Sequence, residues 1–485
     1  MHHNISYIYS QIDVMQKIYA MNDKDFFKLL QTFVFEVYPI AKDALDKRVY
    51  FPPTYDKYPR VRFDDNKVPS LDFYEDKPKD ISAVFTSYSG KPDINLEDYN
   101  SYKECIVYIT EHKYFEKVIF YYRPEKDDAD LFRVKSFLID IIERYYLLNA
   151  DCTPNEELLE GIYKPLEYPA FNSKLYIDIS IPLLNVSFDF EEYKINDSCC
   201  IRRISAEQHK SRIYIRSDNV SNSIISASTH EFVLINWHVD TDKGGAPIYF
   251  SSHRENYYPI NIFDNFIVAL KICVDINSGY SQMLIYPKDW ALLYNMDLQE
   301  IIGTTIRKYP SSFEKYNAIH HPSLLDGERV KEVGQIFTLL QSCDQNKIKI
   351  ACKRLRYSFM RDDEEDSILD LIIAIEVLLT DNEKGEITHK LSMRLAKLIS
   401  MYDSDNNPNI ALTEIKKAYA YRSKIVHGSH QKEMNTSQKL SEEDDLPIYS
   451  EHTLNAGKYL RLLIRILLEN PLYLVTKEID KKMIE

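Results

Sequence analysis

The sequence predicts an α+β protein, with a mixed, strand-rich N-terminal region followed by a C-terminal all-α helical bundle. Three observations carry that expectation. The chain has 485 residues, more than one hydrophobic core accommodates, so two or three domains are expected. From about residue 173 to 290, segments rich in β-branched and aromatic residues alternate with polar turns, which is the pattern of strands. After residue 325 apolar residues recur almost without interruption at helical spacing. The expected division is 1–172, a mixed α/β region; 173–325, strand-rich and part of the same N-terminal module; and 326–485, the bundle.

Residues 23–48 have helical periodicity, with Pro39 as a point of kinking. Residues 50–100, rich in Pro, Asp, Lys and Tyr, suit loops and short strands. The apolar runs 104–110 and 117–123 are expected to be two strands. In 128–148, Val134, Phe137, Leu138, Ile141, Tyr145 and Leu148 form the stripe of an amphipathic helix. Strands are expected in 174–190, 212–217, 230–239 and 265–274. Ser205 and Gln208 form a capping box that inserts a short helix among them. Helices follow at 330–343, 346–360, 364–381, 386–402 and 409–427. The acidic run Glu442–Asp445 lies in a polar loop, and a last helix spans 450–469. Short connections make an antiparallel bundle the expected arrangement.

Composition excludes several functions. Apolar residues are 45% and charged residues 28%, as in ordinary globular proteins. The formal net charge of −14 argues against a general nucleic-acid coat, because phosphate affinity needs local positive charge, while leaving room for a basic groove. The seven cysteines are scattered without a CxxC pair, so neither a zinc ribbon nor a disulfide framework is expected. His230, His238, His320 and His321 lack the spaced partners of a metal site. No P-loop or dinucleotide glycine pattern occurs. No cofactor is expected. No stretch reads as a membrane span or as a signal peptide, so the expected compartment is the cytoplasm.

Two charges interrupt apolar stripes. Along 409–427, Ile415, Ala418, Tyr419, Arg422, Ile425 and Val426 share one face, and Arg422 is its only charge. Along 364–381, Leu369, Ile372, Ile373, Glu376 and Leu379 do the same, with Glu376 as the exception. Since an unpaired buried charge is costly, Glu376 is expected to face Arg422 across the bundle. His427 follows Arg422 by five residues, which on an ideal helix is about 140° of rotation and about 7.5 Å of rise. Gly428 suits the turn after a helix end, which puts His427 in the last turn, near the carbonyl end of the dipole. There it can exchange protons near neutral pH.

The stretch YRSKIVHG, preceded by DSILDLIIAIEVLLT and ITHKLSMRLAKLIS, resembles the R-x4-H signature and consecutive helices of HEPN proteins of the Apea-like, ApeA-type branch, found in bacterial anti-phage defence. The likeness covers about residues 330–470. It implies a helical bundle paired about a two-fold axis into a homodimer. It also implies a metal-independent endoribonuclease of abortive infection, acting on RNA, with tRNA among the candidates. On this resemblance His427 is the general base or acid and Arg422 stabilises the pentavalent phosphate. Glu376 orients Arg422, and Arg394 acts structurally or at the phosphate. Products would carry 2′,3′-cyclic phosphate and 5′-hydroxyl ends. Many members carry Asn, Asp or His after the arginine; this chain has Ser423, a weaker orienting group that remains in reach of RNA.

For RNA contact the sequence offers Lys349, Lys353 and Arg356 on one helical stripe with Arg354 and Arg361 nearby, and Lys416, Lys417 and Lys424 beside the signature. The N-terminal region is expected to sense a phage-derived trigger or to restrain the nuclease, and no membrane partner is expected. Two alternatives stand beside this reading. One is a non-catalytic HEPN module that dimerises or binds a ligand or partner protein. The other is a purely structural Arg422–Glu376 pair in an unrelated bundle.

Overall fold

The computed structural model describes residues 20–48, 58–65, 67–74, 80–86, 92–112, 128–149, 153–217, 219–240, 258–315, 321–381, 385–427 and 449–484. The chain is α+β. Helix α1 (Lys24–Lys47) starts where the Asp23 carboxylate accepts from the Phe26 amide, and it buries Phe26, Leu30, Phe33, Val37 and Ala41. Pro39 lies inside it. Strands β1 (Tyr58–Phe63) and β2 (Pro69–Tyr74) form an antiparallel ribbon.

Residues 104–110 are not a strand. They belong to helix α2 (Asn100–Glu111), whose Tyr102, Cys105 and Ile109 are buried at helical spacing. Residues 117–123, the expected partner, lie outside the described residues. Helix α3 (Asp128–Leu148) buries all six residues of its expected stripe. Helix α4 (Glu156–Phe171), which the sequence reading left out, begins at an Asn155 cap and contains Pro165 and Pro169. Its buried Glu167 accepts from the amides of Asn22 (2.7 Å) and Asp23 (3.0 Å), tying α4 to the start of α1.

The central sheet is built from β3 (Lys174–Leu184), β5 (Glu192–Asn196), β6 (Cys199–Arg203), β7 (His230–Asp240), β8 (Gly279–Pro287) and β9 (Ile302–Lys308). Their order is β5-β6-β7-β3-β8-β9, all neighbours antiparallel. Between them lie β4 (Val186–Phe188), α5 (Ala206–Arg212), α6 (Asn222–Ser226) and α7 (Ile260–Val274), followed by α8 (Ser312–Lys315) and β10 (Ser323–Leu325). β10 pairs in parallel with β4.

Two expected strands are helices or turns. The Ser205–Gln208 capping box is formed, and the helix it opens runs to Arg212, so the expected strand 212–217 is the helix end followed by a turn and irregular chain. Residues 265–274 lie in α7, which buries Phe263, Phe266, Ile267 and Leu270. A short segment apolar on every side has no period to separate the two forms.

Among the described residues seven α-helices follow: α9 (Gly327–Ser342), α10 (Asn346–Met360), α11 (Glu364–Leu379), α12 (Ile387–Tyr402), α13 (Pro408–Val426), α14 (Glu451–Glu469) and α15 (Thr476–Ile484). α10 and α11 run antiparallel. Ser367 near the start of α11 donates to the Ser358 carbonyl near the end of α10 (2.7 Å), and Lys347 reaches the Thr380 carbonyl at the far end (3.4 Å). α13 and α14 are also antiparallel: Tyr459 donates to Glu414 (2.5 Å), and Tyr421 meets His452 with ring centroids 5.2 Å apart.

The expected boundary at 325/326 is crossed by packing. Phe232 of β7 stacks on Phe266 of α7 at 4.1 Å, and both meet Phe337 of α9, at 5.5 and 5.8 Å. Arg461 of α14 pairs with Asp275 at the end of α7 (2.7 Å). Sheet and bundle thus share one continuous core. Among the described residues no helix is long and apolar enough to cross a membrane.

Candidate functional site

Helix α13 carries the signature. Its first turn is fixed by Asn407, whose side chain accepts from Asn409 and Ile410 amides, and by Pro408 at the first helical position. Ala411, Ile415 and Ala418 are its buried contacts. The helix closes at His427, whose amide donates to the Ser423 carbonyl at 3.1 Å. The His427 side chain is exposed. Gly428 and the acidic run 442–445 lie outside the described residues.

Arg422 is half-buried, its Nε is sealed from solvent, and that nitrogen has no hydrogen-bond partner among the described residues. The expected ion pair with Glu376 is not formed. Tyr419, one turn earlier on α13, interacts with both. Its ring lies 5.8 Å from the Arg422 guanidinium carbon, and its phenol faces Glu376 and Thr388. Facing stripes fixed which residues approach the same seam, but a tyrosine is long enough to take the place nearest the carboxylate. Burial pushes the Tyr419 phenol up, and Glu376 pushes it further in the same direction.

The C-terminal helices contain eight arginines. Arg329 pairs with Glu332 (3.7 Å), Arg354 with Asp370 (2.6 Å), Arg356 with Asp264, and Arg361 with Asp370 (3.2 Å). Arg394 pairs with Asp480 (2.6 Å), Arg461 with Asp275 (2.7 Å) and Arg465 with Glu332 (2.5 Å). Of these eight, Arg422 alone has no carboxylate partner among the described residues.

Beside this seam, Glu386, Ile387, Thr388 and His389 line an open cavity of about 560 Å³ at the start of α12. Thr388 links it to Tyr419. Sequence reasoning missed Tyr419, Thr388 and His389 as site residues. The available signal was that Tyr419 precedes Arg422 by three positions on one ridge.

The other expected RNA contacts divide. Lys353 and Lys424 are exposed and Ser423 is half-buried. Lys353 lies 5.6 Å from the Tyr357 ring. Arg356 is not free for phosphate: its pair with Asp264 joins α10 to α7, with both side chains largely covered. Arg354 and Arg361 converge on buried Asp370, and Lys349 pairs with Asp344 (3.3 Å). Arg394 is buried, its guanidinium spent on Asp480 and the Leu379 carbonyl, so its place is structural. The expected basic row is thus largely neutralised within the chain.

His230 is a satisfied core histidine, bonded to Thr229 and the Phe190 carbonyl, and burial pulls it down to about 4. Among the described residues no group of three His, Cys, Asp or Glu is placed to hold a metal ion. Comparison of the chain with family models, curated proteins and solved structures gave no match.

Proposed function

We propose that the protein is a metal-independent endoribonuclease of the HEPN type, acting in anti-phage defence as a homodimer through its C-terminal helices. The observation that carries the reading is the unpaired Arg422 beside an exposed His427 on the last turns of one helix. A guanidinium with its Nε dry and no carboxylate paired to it among the described residues is poised for an anion from outside the chain, and a phosphodiester is the anion its fork fits.

In this reaction His427 takes the proton of the ribose 2′-hydroxyl, and the 2′-oxygen attacks phosphorus. Arg422 holds the charge that builds on the equatorial oxygens. The 5′-oxygen leaves and takes up a proton from the second protomer's copy of the same histidine, or from the returning imidazolium. The products are a 2′,3′-cyclic phosphate and a 5′-hydroxyl. Tyr419, whose ring lies 5.8 Å from the guanidinium carbon, sets its position, the role the resemblance implied for Glu376. The long N-terminal region, joined to the bundle through α7, supplies the restraint that a cytosolic ribonuclease requires.

The test is cleavage of RNA by the full chain in excess EDTA, beside His427→Ala and Arg422→Ala of equal thermal stability. Cleavage by the wild type alone, with cyclic-phosphate ends, supports the reading. RNA binding without cleavage, lost in Arg422→Ala, supports the binding-module alternative instead.

A further inference from the structure

A second cationic centre lies in the N-terminal half. Arg212, the last residue of α5, is fully buried. Among the described residues its guanidinium meets only neutral acceptors. Nε donates to His209 Nδ1 at 3.0 Å, Nη1 to Gln282 Oε1 at 2.9 Å and to the Ile225 carbonyl, and Nη2 to the Ser226 carbonyl at 3.2 Å. The buried carboxylate of Glu231, on the neighbouring strand, is already taken by Arg202 (2.7 Å), Ser180 (2.6 Å) and Tyr286 (2.7 Å). A buried charge without a counter-ion is costly, so its environment favours negative charge nearby.

His209 transmits that preference. It is 1% exposed. Because an arginine nitrogen can only donate, His209 Nδ1 is an acceptor, and the neutral ring must carry its proton on Nε2. Among the described residues that Nε2–H has no acceptor. Burial and Arg212 both hold the ring well below the usual histidine range, which keeps it neutral. His209 lines a cavity of about 420 Å³ together with Phe63, Lys67, Arg203 and Glu191. Arg203 pairs there with Glu191 at 2.7 Å, but the Glu191 side chain is 81% exposed and gives way to water at little cost. Phe63, 53% exposed, meets the His209 ring edge-on at 6.1 Å.

We propose that this cavity binds the oxyanion head of a small organic ligand, a phosphate monoester or a carboxylate. His209 Nε2–H, Arg203 and Lys67 are its donors, and Phe63 is the wall against which an aromatic body rests. Arg212 acts through His209, polarising the N–H that meets the anion. This does not rest on the ribonuclease reading, and its test uses no RNA.

The full chain is titrated calorimetrically with adenosine monophosphate, inorganic phosphate and benzoate, and the same titrations are run on Lys67→Gln and Arg203→Gln. Binding of the monophosphate with phosphate as its competitor identifies a phosphate site, and binding of benzoate alone identifies a carboxylate site. In either case each substitution weakens binding tenfold or more, and the Nε2–H resonance of His209 shifts when ligand is added. Should Arg203→Gln lose its fold, Lys67→Gln, an exposed position, carries the comparison. No binding of any probe at about 10 mM overturns the proposal. So does binding that neither substitution weakens, or that leaves the His209 resonance in place.

Discussion

Arg394 and Asp480 meet fork to fork: Nε donates to one carboxylate oxygen at 2.8 Å and Nη2 to the other at 2.6 Å. The third arm reaches the Leu379 carbonyl at 2.8 Å. One buried guanidinium thus holds α15 against α12 and the end of α11. Asp480→Asn strips that guanidinium of its charge partner while keeping the shape. The expected loss is about 2–4 kcal/mol, toward the low side for a broken buried pair because Asp480 keeps contact with water. Urea unfolding measures it, and a loss too small to detect would mean that packing alone seats α15.

Arg422 should behave in the opposite way. With no carboxylate to lose, Arg422→Ala is expected to stay within about 0.5 kcal/mol of wild-type stability while abolishing cleavage. Thermal unfolding and the EDTA assay read the two effects separately. Unfolding at a much lower temperature would make Arg422 a structural residue and remove the ground for the proposed site.

Lys353 and Arg356 separate by the same logic. Lys353→Gln removes one exposed cation and is expected to lower the slope of log binding constant against log salt by about 0.7 for single-stranded RNA. Arg356→Gln is expected to leave that slope unchanged and to lower stability, because its charge is spent on Asp264. Equal slope changes in both variants would place Arg356 at the RNA.

The pH dependence of stability has a named source. Glu300 accepts from the Leu292 amide at 2.6 Å through one oxygen, while the other is buried without a partner, and burial pushes the carboxyl up to about 8. Between the ordinary value of 4.5 and about 8 the folded chain holds a proton that the unfolded chain has lost. Stability therefore falls as pH rises through that window. Asp140, raised by burial to about 7, acts in the same direction over a narrower range. Thermal midpoints across the window should decline for the wild type, and Glu300→Gln should flatten the upper part of the curve. An unchanged curve in the variant would assign the effect elsewhere.

How much of this was legible in the sequence depended on periodicity. Helices α10 to α14 have one apolar face each and capping residues such as Asp363, Asn407 and Ser450, so their ends fell within two residues or so of expectation. Helices α2 and α7 were misread because β-branched and aromatic content stood in for a period. Helix α4 was hidden by Pro165 and Pro169, which read as breakers although the helix accommodates both. At the candidate site, the stripe revealed that Arg422 interrupts an apolar face. It could not reveal depth across the seam, where Tyr419 engages Glu376 and lies beside Arg422. At the second cavity, the Ser205–Gln208 box was readable, whereas the isolation of Arg212 from any carboxylate depends on residues some 70 positions away.

Helix α7 belongs by sequence to the N-terminal half, yet Phe266 lies between Phe232 and Phe337, and Asp264 and Asp275 hold Arg356 and Arg461. A recombination breakpoint placed where the sequence changes texture, near residue 325, would divide that interior between two inheritors. The shortest stretch of this gene that can move into another protein with its bundle intact therefore begins upstream of Ile260, and fusions cut later would carry an exposed aromatic face as their scar.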